Sequence, residues 1–234
     1  MTRTIDRYEV LSVASVASSA AAGDGNLSGT RVSADHPVAV FAGNGATVVP
    51  KGPQLACCGD HVEEQLLPLS AWGKTHVAPR SRPRITAGAP EADWWRITGG
   101  ADGITLSYQP ARPAGAPAGL DRGQSVQFAA TASFVVRAAG GPILLAQFLG
   151  GANHTGDMIT TDRSCTHDDH CKGLGFLSAC KVPGYKCAPV GDPAMTLVPP
   201  VEQFRTEVAF LVPSDYLFDI ATVVMPVDAS VTLD

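Results

Sequence analysis

Two short stretches of this 234-residue chain carry side chains suited to acid–base or metal chemistry. The first contains Asp60, His61, Glu63 and Glu64. A histidine beside carboxylates can titrate near neutral pH, as a general base must. A related stretch later in the chain keeps the aspartate but has no histidine. We therefore interpret Asp60 as a turn or cap residue and His61 as a hydrogen-bonded structural group, with a catalytic pair as the alternative.

The second stretch is Thr166-His167-Asp168-Asp169-His170, which lies between two cysteines. Two imidazoles and two carboxylates could hold zinc or another transition metal. Adjacent residues on a short loop rarely converge on one ion, and the ligand spacing of zinc sites is missing. We therefore favour a solvated disulfide loop over a metal site.

The chain has six cysteines, and all of them are disulfide candidates: Cys57, Cys58, Cys165, Cys171, Cys180 and Cys187. The last four follow the pattern C-x5-C-x8-C-x6-C within a loop containing glycine and proline. This spacing suits disulfides better than zinc, because the paired C-x2-C knuckles of zinc sites are absent. It does not choose among the possible pairings. Disulfides predict an oxidising, extracytoplasmic environment.

The remaining sequence signals argue against several classes of function. No GxSxG elbow, HExxH helix, P-loop or GxGxxG turn is present. The net charge of −5 contains no block of like charges, which disfavours nucleic acid and anionic membrane surfaces as partners. No apolar run approaches the length of about 18 residues that a membrane span needs. We predict no catalytic, cofactor-binding or metal-binding residues, and the sequence identifies no ligand-contact residue.

The N-terminus has some features of a signal peptide, because Arg3 and Arg7 precede a moderately apolar run. Asp6 and Glu9 lie where signal peptides avoid acidic residues, and serines dilute the apolar run. We interpret Tyr8–Val13 as a strand and expect any export signal upstream of this chain.

The element pattern is one of many short strands. Glycine and proline contribute 24 and 18 residues, and this density of breakers favours strands over long helices. Alternation and β-branched content predict strands at Tyr8–Val13, Val38–Ala42, His76–Pro79, Trp94–Thr98 and Ile104–Tyr108. The strand at Val38–Ala42 is expected to be buried and to end at Gly43-Asn44-Gly45. A single helical turn is allowed at Glu63–Leu67. Trp94 and Trp95 face opposite ways in their strand, so one belongs to the core and the other is a contact or ligand-binding aromatic.

One stretch, Asp60–Lys74, recurs about 130 residues later as Gly191–Arg205. Each copy runs from an aspartate through an apolar pair and a proline to an aromatic residue and a cation. An apolar segment follows each copy, His76–Pro79 in the first and Val208–Pro213 in the second. Recurrence of this order indicates one structural unit used twice.

The rest of the second half retraces the first in order. Asp121-Arg122 and Ser125–Phe128 match Asp6-Arg7 and the opening strand, and Gly141–Phe148 matches the segment from His36 to Ala42. Further strands are expected at Asp219–Val224, matching the Trp94 strand, and at Asp228–Leu233. We predict an all-β chain of two tandem units, 1–112 and 113–234, forming sandwiches or a continuous double sheet. A cysteine-rich insert occupies about 160–189, and Pro110–Gly119 is the connector.

These residues resemble the N-terminal domain of IgGFc-binding proteins, of a bacterial type or as a fragment. The segments that carry the resemblance are Ser28–Asn44, Asp60–Gly73 and Gly191–Phe204. Matching segments cover nearly all of residues 8–234 except the loops and the insert. Family members often carry a cysteine after the Gly-Asn turn, where this sequence has Ala46. The partner of Cys57 or Cys58 therefore stays open.

The resemblance implies a non-catalytic extracellular domain of a larger secreted or cell-surface protein. We expect a recognition or adhesion module that binds a protein or glycan over exposed loops. A structural spacer without a specific ligand is the alternative. A metal-dependent hydrolase centred on His61 or on His167 and His170 is a remote alternative. Antibody binding is not carried over, because no short residue set in this sequence encodes it.

Overall fold

The computed structural model describes residues 2–16, 25–50, 59–87, 90–151, 161–175, 178–181, 185–212 and 219–232. The described part is all-β with three short 3-10 helices, which confirms the predicted fold class. No helix in it is long and apolar enough to cross a membrane. The strands are β1 (Phe41–Thr47), β2 (Asp60–Gln65), β3 (Thr75–Ala78), β4 (Asp93–Gly99), β5 (Ile104–Gln109), β6 (Gly119–Leu120), β7 (Ser125–Ala130), β8 (Phe134–Ala139), β9 (Ile143–Leu149), β10 (Ser178–Lys181), β11 (Lys186–Pro189) and β12 (Ala194–Val198). The 3-10 helices are Leu69–Ala71, Asp168–Cys171 and Val201–Gln203.

Two four-stranded antiparallel sheets face each other and enclose the main core. Sheet I has the order β12-β9-β4-β7, and sheet II has the order β3-β8-β5-β6. Because side chains alternate along a strand, Trp95 and Ile97 of β4 enter the core while Trp94 and Arg96 lie on the outer face. Burial of apolar side chains between the sheets is the main stabilising term.

Aromatic rings form the centre of this core. Trp95 and Phe134 meet edge to face with ring centroids 5.2 Å apart, and Phe128 lies 5.8 Å from Phe134. The Nε1–H of Trp95 is buried without a hydrogen-bond partner among the described residues. Trp94 is half-buried in a smaller outer cluster with Val49 and others. Trp95 is therefore the core member of the predicted pair, and Trp94 is a packing contact.

The hairpin β1–β2 forms a separate two-stranded sheet and corrects two predictions. The strand predicted at Val38–Ala42 was expected to be buried and to end at Gly43. Instead β1 begins at Phe41, runs through Gly43 and is mostly exposed, because its pairing with β2 continues past the glycine. The helical turn allowed at Glu63–Leu67 is wrong, since β2 occupies most of it and the 3-10 turn comes after Pro68.

Both copies of the recurring stretch adopt the same backbone after their strands. Pro68 precedes one 3-10 turn with φ −62° and ψ 151°, and Pro200 precedes the other with φ −70° and ψ 157°. Trp72 and Phe204 end the two turns, each donating its N–H to the carbonyl three residues earlier. Proline supplies the fixed φ that starts both turns.

The strands predicted near the two termini are wrong for the described residues. Tyr8–Val13 forms no strand, and neither do residues 208–212, 219–224 and 228–232. Their side chains are almost all exposed. Alternation reports that a segment can form a strand, whereas a strand also needs a neighbour that supplies its hydrogen bonds.

Both main sheets cross the position predicted as the unit boundary. In sheet I, β4 pairs with β7 and β9, and in sheet II, β3 and β5 pair with β8. The division into 1–112 and 113–234 therefore stays a prediction about sequence repetition. The hydrogen-bonded sandwich combines strands from both stretches.

Candidate functional site

The cysteine-rich insert between β9 and β12 forms a small unit of its own. Cys165 is bonded to Cys180 and Cys171 to Cys187, so every cysteine of the described chain is paired. The sulfurs pack with Leu174 into a cluster separate from the main core. The hairpin β10–β11 completes the unit. The predicted disulfide loop is confirmed here, while Cys57 and Cys58 lie outside the described residues.

The insert is fastened to the sandwich through the loop 80–87. The backbone N–H of Thr86 donates to the carbonyl of Leu174 at 2.7 Å, and the Thr86 hydroxyl donates to the same carbonyl at 3.0 Å. Ile85 beside it is buried. The insert is therefore attached at the end of the sandwich where β4 begins and β9 ends.

Residues 166–170 and Lys172 form the exposed rim of the insert, which we call the insert loop. The rings of His167 and His170 are in contact in a tilted arrangement, with centroids 3.8 Å apart and an angle of 51° between their planes. Asp168 accepts a hydrogen bond from the Cys180 backbone N–H at 2.8 Å. Asp169 forms an ion pair with Lys172 that lowers the pKa of this carboxyl. The loop is thus polar, of mixed charge and held in one shape by the disulfide framework.

Four of these side chains are candidate metal ligands, and three of them, Asp168, Asp169 and His170, have other partners in the structure. The carboxylates of Asp168 and Asp169 bond to a backbone N–H and to a lysine. Nδ1 of His170 accepts from the Thr166 N–H at 3.3 Å. The only convergent set among the described residues consists of Cys165, Cys171 and Cys187, whose sulfurs are consumed in disulfides.

A pocket of about 360 Å³ lies beside the insert, at the same end of the sandwich. Its volume is in the range of small-ligand sites, which is about 300–1,000 Å³. Its lining comes from the loop, the ends of β4 and β9, and two later segments: Ser81, Arg82, Pro83, Arg84, Glu91, Asp93, Leu149, Val190, Gly191, Asp192, Ile220 and Thr222.

A buried ion pair stiffens one wall of the pocket. Arg84 and Glu91 are each only 11% exposed and form a close salt bridge. The Arg84 guanidinium also donates to the carbonyls of Gly150 at 2.8 Å and Val190 at 3.1 Å. Because its donors are directed to fixed acceptors, this group ties the loop, β9 and the end of the insert together. Its role here is structural.

Asp93, the first residue of β4, contributes a buried carboxyl to another wall. Burial raises the pKa of Asp93, and hydrogen bonds from Ser81 and Gln147 oppose this rise. The Ser81 N–H donates to the carboxyl at 2.7 Å, and the Ser81 hydroxyl accepts from Gln147 at 3.0 Å. The described lining contains no histidine or cysteine. The arrangement suits binding of a polar group and supplies no activated nucleophile.

His61, the candidate for acid–base chemistry, lies on β2 of the exposed hairpin. Its Nε2 lies 3.2 Å from a carboxylate oxygen of Glu63, two residues away on β2. The side chain is 61% exposed. The contact agrees with the hydrogen-bonded structural interpretation, and the loop, pocket and insert do not involve it.

His76 was missed as a candidate and is the most buried polar side chain of the sandwich. Nδ1 lies 3.1 Å from the Val198 carbonyl and Nε2 lies 3.1 Å from the Ile143 carbonyl. Burial lowers the pKa of His76, although these carbonyls and Glu202 oppose the shift. A histidine at an inward position of an apolar strand was the available signal.

Comparison with known families places this chain in a family. The family model described as IgGFc binding protein matches residues 1–234, the whole chain. No curated protein and no solved structure matches.

Proposed function

The chain belongs to the IgGFc-binding protein family, whose domains are extracellular binding modules rather than enzymes, and we propose that it recognises a protein partner through the insert loop. The parent protein would be secreted or attached to the cell surface. The insert loop and the neighbouring pocket together would form the contact surface, at one end of the sandwich.

The observation that carries this proposal is the fixed shape of an exposed polar loop. Two disulfides, one of them fully buried at Cys171 and Cys187, hold the insert loop without a large apolar core beneath it. Ordering a loop before binding lowers the entropy cost of association. Loops carried on a rigid scaffold are also where recognition residues concentrate.

The side chains favour a polar protein surface as the partner. Carboxylates, a lysine and two imidazoles present both charge signs within a short span, which suits hydrogen bonds and ion pairs across an interface. The pocket beside the loop has room for one projecting side chain, and both carboxylates and arginines line it, so a polar side chain that donates and accepts hydrogen bonds suits it. The Fc part of IgG is one candidate partner among secreted proteins.

The test uses the full oxidised chain on a panel that includes IgG Fc, other secreted proteins and glycans. We expect saturable binding to at least one protein. The loop variant His167→Ala/Asp169→Ala/Lys172→Ala retains the cysteines and the Asp168 hydrogen bond. It should weaken this binding at least tenfold. Arg137→Ala, on the outer face of sheet II, is the matched surface control and should bind normally.

Three results would count against the proposal. If no panel member binds saturably, the structural spacer becomes the better description. If the loop variant and the control bind equally well, the contact lies elsewhere on the molecule. If only glycans bind, the partner class is wrong.

A further inference from the structure

Segments with strand character lie unpaired at both ends of the described chain. In the N-terminal segment Val10 is 87% exposed and Leu11 50%. In the C-terminal segment Val223 is 55% exposed. Leaving such side chains in water forgoes the favourable free energy that burying their apolar surface would give. Three observations identify what these segments match.

The first observation is a turn that occurs twice with the same hydrogen bonds. The N–H of Glu9 donates to the Asp6 carbonyl at 3.1 Å, and a Glu9 side-chain oxygen accepts from the Asp6 N–H at 2.7 Å. Gln124 makes the same two bonds with Asp121, at 3.0 Å each. The third residue of each turn has a left-handed backbone conformation, with φ +70° at Tyr8 and +75° at Gly123.

This turn has a defined role in the second copy, where it leads directly into β7. A left-handed tyrosine is uncommon, so its occurrence at the matching place is a strong sign of shared structure. The first turn therefore leads into Val10–Val13 in the same way as the second turn leads into β7.

The second observation is the register of the hairpin β1–β2. The sequence repeat aligns Phe41 with Ala146 and Gln65 with Leu197. The structure pairs Phe41 with Gln65 in the hairpin and Ala146 with Leu197 between β9 and β12. A slip of one residue would destroy this agreement. The hairpin is thus the first-copy equivalent of the β9–β12 pair.

The third observation is an open edge. In sheet I the edge of β9 that faces away from β12 pairs with β4, and β4 in turn pairs with β7. In the two-stranded sheet the edge of β1 that faces away from β2 has no strand beside it among the described residues. The repeat assigns Asp219–Val224 to the place of β4 and Val10–Val13 to the place of β7.

We propose that these segments pair with the free edge of β1 in the same chain and complete a second four-stranded sheet. The order is β2, β1, Asp219–Val224 and Val10–Val13, which repeats the order of sheet I. In the described structure this edge is open, and Ile220 and Thr222 line the pocket beside the insert. In the proposed state both residues leave the pocket lining and the edge is paired.

The register follows from sheet I without adjustable choices. There Ile97 lies opposite Val126 on one side and Leu145 on the other, and Leu145 lies opposite Val198. The matching row is Leu11, Val223, Val40 and Leu66. All four are apolar, as are all four in sheet I. One link is already present, because the Leu66 N–H donates to the Val40 carbonyl at 2.8 Å.

The contact between the two recurring stretches makes the same chain the source of the strands. Lys74 donates its backbone N–H to Glu202 at 2.9 Å, and Gly73 lies directly against Pro200. After the first of these stretches the chain continues into β3, which pairs with β8 from the other half. In the proposed state, the equivalent path after Phe204 brings the C-terminal segment to the first-copy hairpin. A second copy of the chain is not needed.

Cysteine pairing tests the register and the source of the strand together. In the oxidised full chain, Val40→Cys/Val223→Cys should form an intramolecular disulfide, identified by peptide mapping of the monomer under non-reducing conditions. Val40→Cys/Thr222→Cys, shifted by one residue so that the side chains point to opposite faces, should form at least tenfold less. A bond found only in dimers would assign the strand to a second copy and overturn the proposal. Equal yields from both variants, or no bond from either, would overturn it as well.

Hydrogen exchange of the unmodified chain gives an independent readout. Amides of residues 10–13 and 219–224 should exchange at least tenfold more slowly than in an unpaired peptide. Exchange at the peptide rate in both segments would overturn the proposal even if the cysteine variants fail to fold.

Discussion

At the scale of single residues, His76 joins parts of the chain that are far apart in sequence. Its ring lies between the carbonyls of Val198 on β12 and Ile143 on β9. A neutral imidazole donates from one nitrogen only, so one of the two carbonyls receives no proton from it. Burial favours this neutral form and lowers the pKa of His76 below its ordinary value of 6.5.

The consequence is a loss of stability on acidification. The unfolded chain takes up a proton at His76 near pH 6.5 that the folded chain resists, so this contribution to the unfolding free energy is complete above that pH and is lost as pH falls. The slope is at most about 1.4 kcal/mol per pH unit for one group. We expect the unfolding free energy measured with urea to decline between pH 7.5 and 5. In the His76→Gln variant this decline should be smaller.

Glutamine suits this test because its amide can donate to both carbonyls and does not titrate. His61→Gln, on the exposed hairpin, is the matched control and should leave the pH profile as it is. A profile that His76→Gln does not flatten would assign the decline to other groups.

At the scale of elements, the two recurring stretches are packed so closely that one position between them admits only glycine. A Cβ at Gly73 would overlap the Cβ of Pro200 and lie 2.7 Å from its Cγ. We expect Gly73→Ala to lower the free energy of unfolding by about 1–3 kcal/mol, as overpacking does. Gly45→Ala, where a Cβ meets nothing within 4 Å, should change it by less than about 0.5 kcal/mol. Urea denaturation measures both, and equal effects would show that the two stretches are not in firm contact.

The insert depends on its disulfides in an unequal way. Cys171 and Cys187 are fully buried at its centre, whereas Cys180 is only half-buried. We expect Cys171→Ser/Cys187→Ser to open the insert to limited proteolysis, with a loss of about 2–4 kcal/mol of local stability. Cys165→Ser/Cys180→Ser should open it less, and β-sheet circular dichroism should persist in both. Loss of the whole sandwich in either variant would contradict the separateness of the insert cluster.

The strands also show which parts of the fold can be predicted from the sequence alone. The strands at Trp94, Ile104 and Ile143 were predictable because alternation there coincides with a buried face and neighbours on the same sheet. Strand β8 was not predicted, and the segments near both termini were predicted without partners, since pairing is a long-range property that a local pattern does not contain. The disulfide pairing depends on the same long-range geometry. The insert loop was found from its cysteines, but the pocket was not, because its walls come from five separate parts of the chain.

At the scale of the whole molecule, the sandwich is shared between the two halves of the sequence. β3, β4 and β5 come from before residue 112, and the strands they pair with in both sheets come from after it. Neither half can satisfy the backbone hydrogen bonds of its strands or bury its side of the core alone. The connector between them is exposed at residues 110–112 and 114–115, where a break in the chain is tolerated best, whereas Ala116 further along belongs to the core.

We therefore expect the halves 1–112 and 113–234 to be unfolded when produced separately and to assemble one-to-one when produced together. Circular dichroism and analytical ultracentrifugation report the two outcomes. The intact chain cut within residues 112–115 after folding is the matched control and should stay assembled until it is denatured. A fragment 1–112 that folds alone, with a cooperative unfolding transition of its own, would show that the repeat units are independent domains. It would also contradict the proposed second sheet, because that sheet too requires strands from both halves.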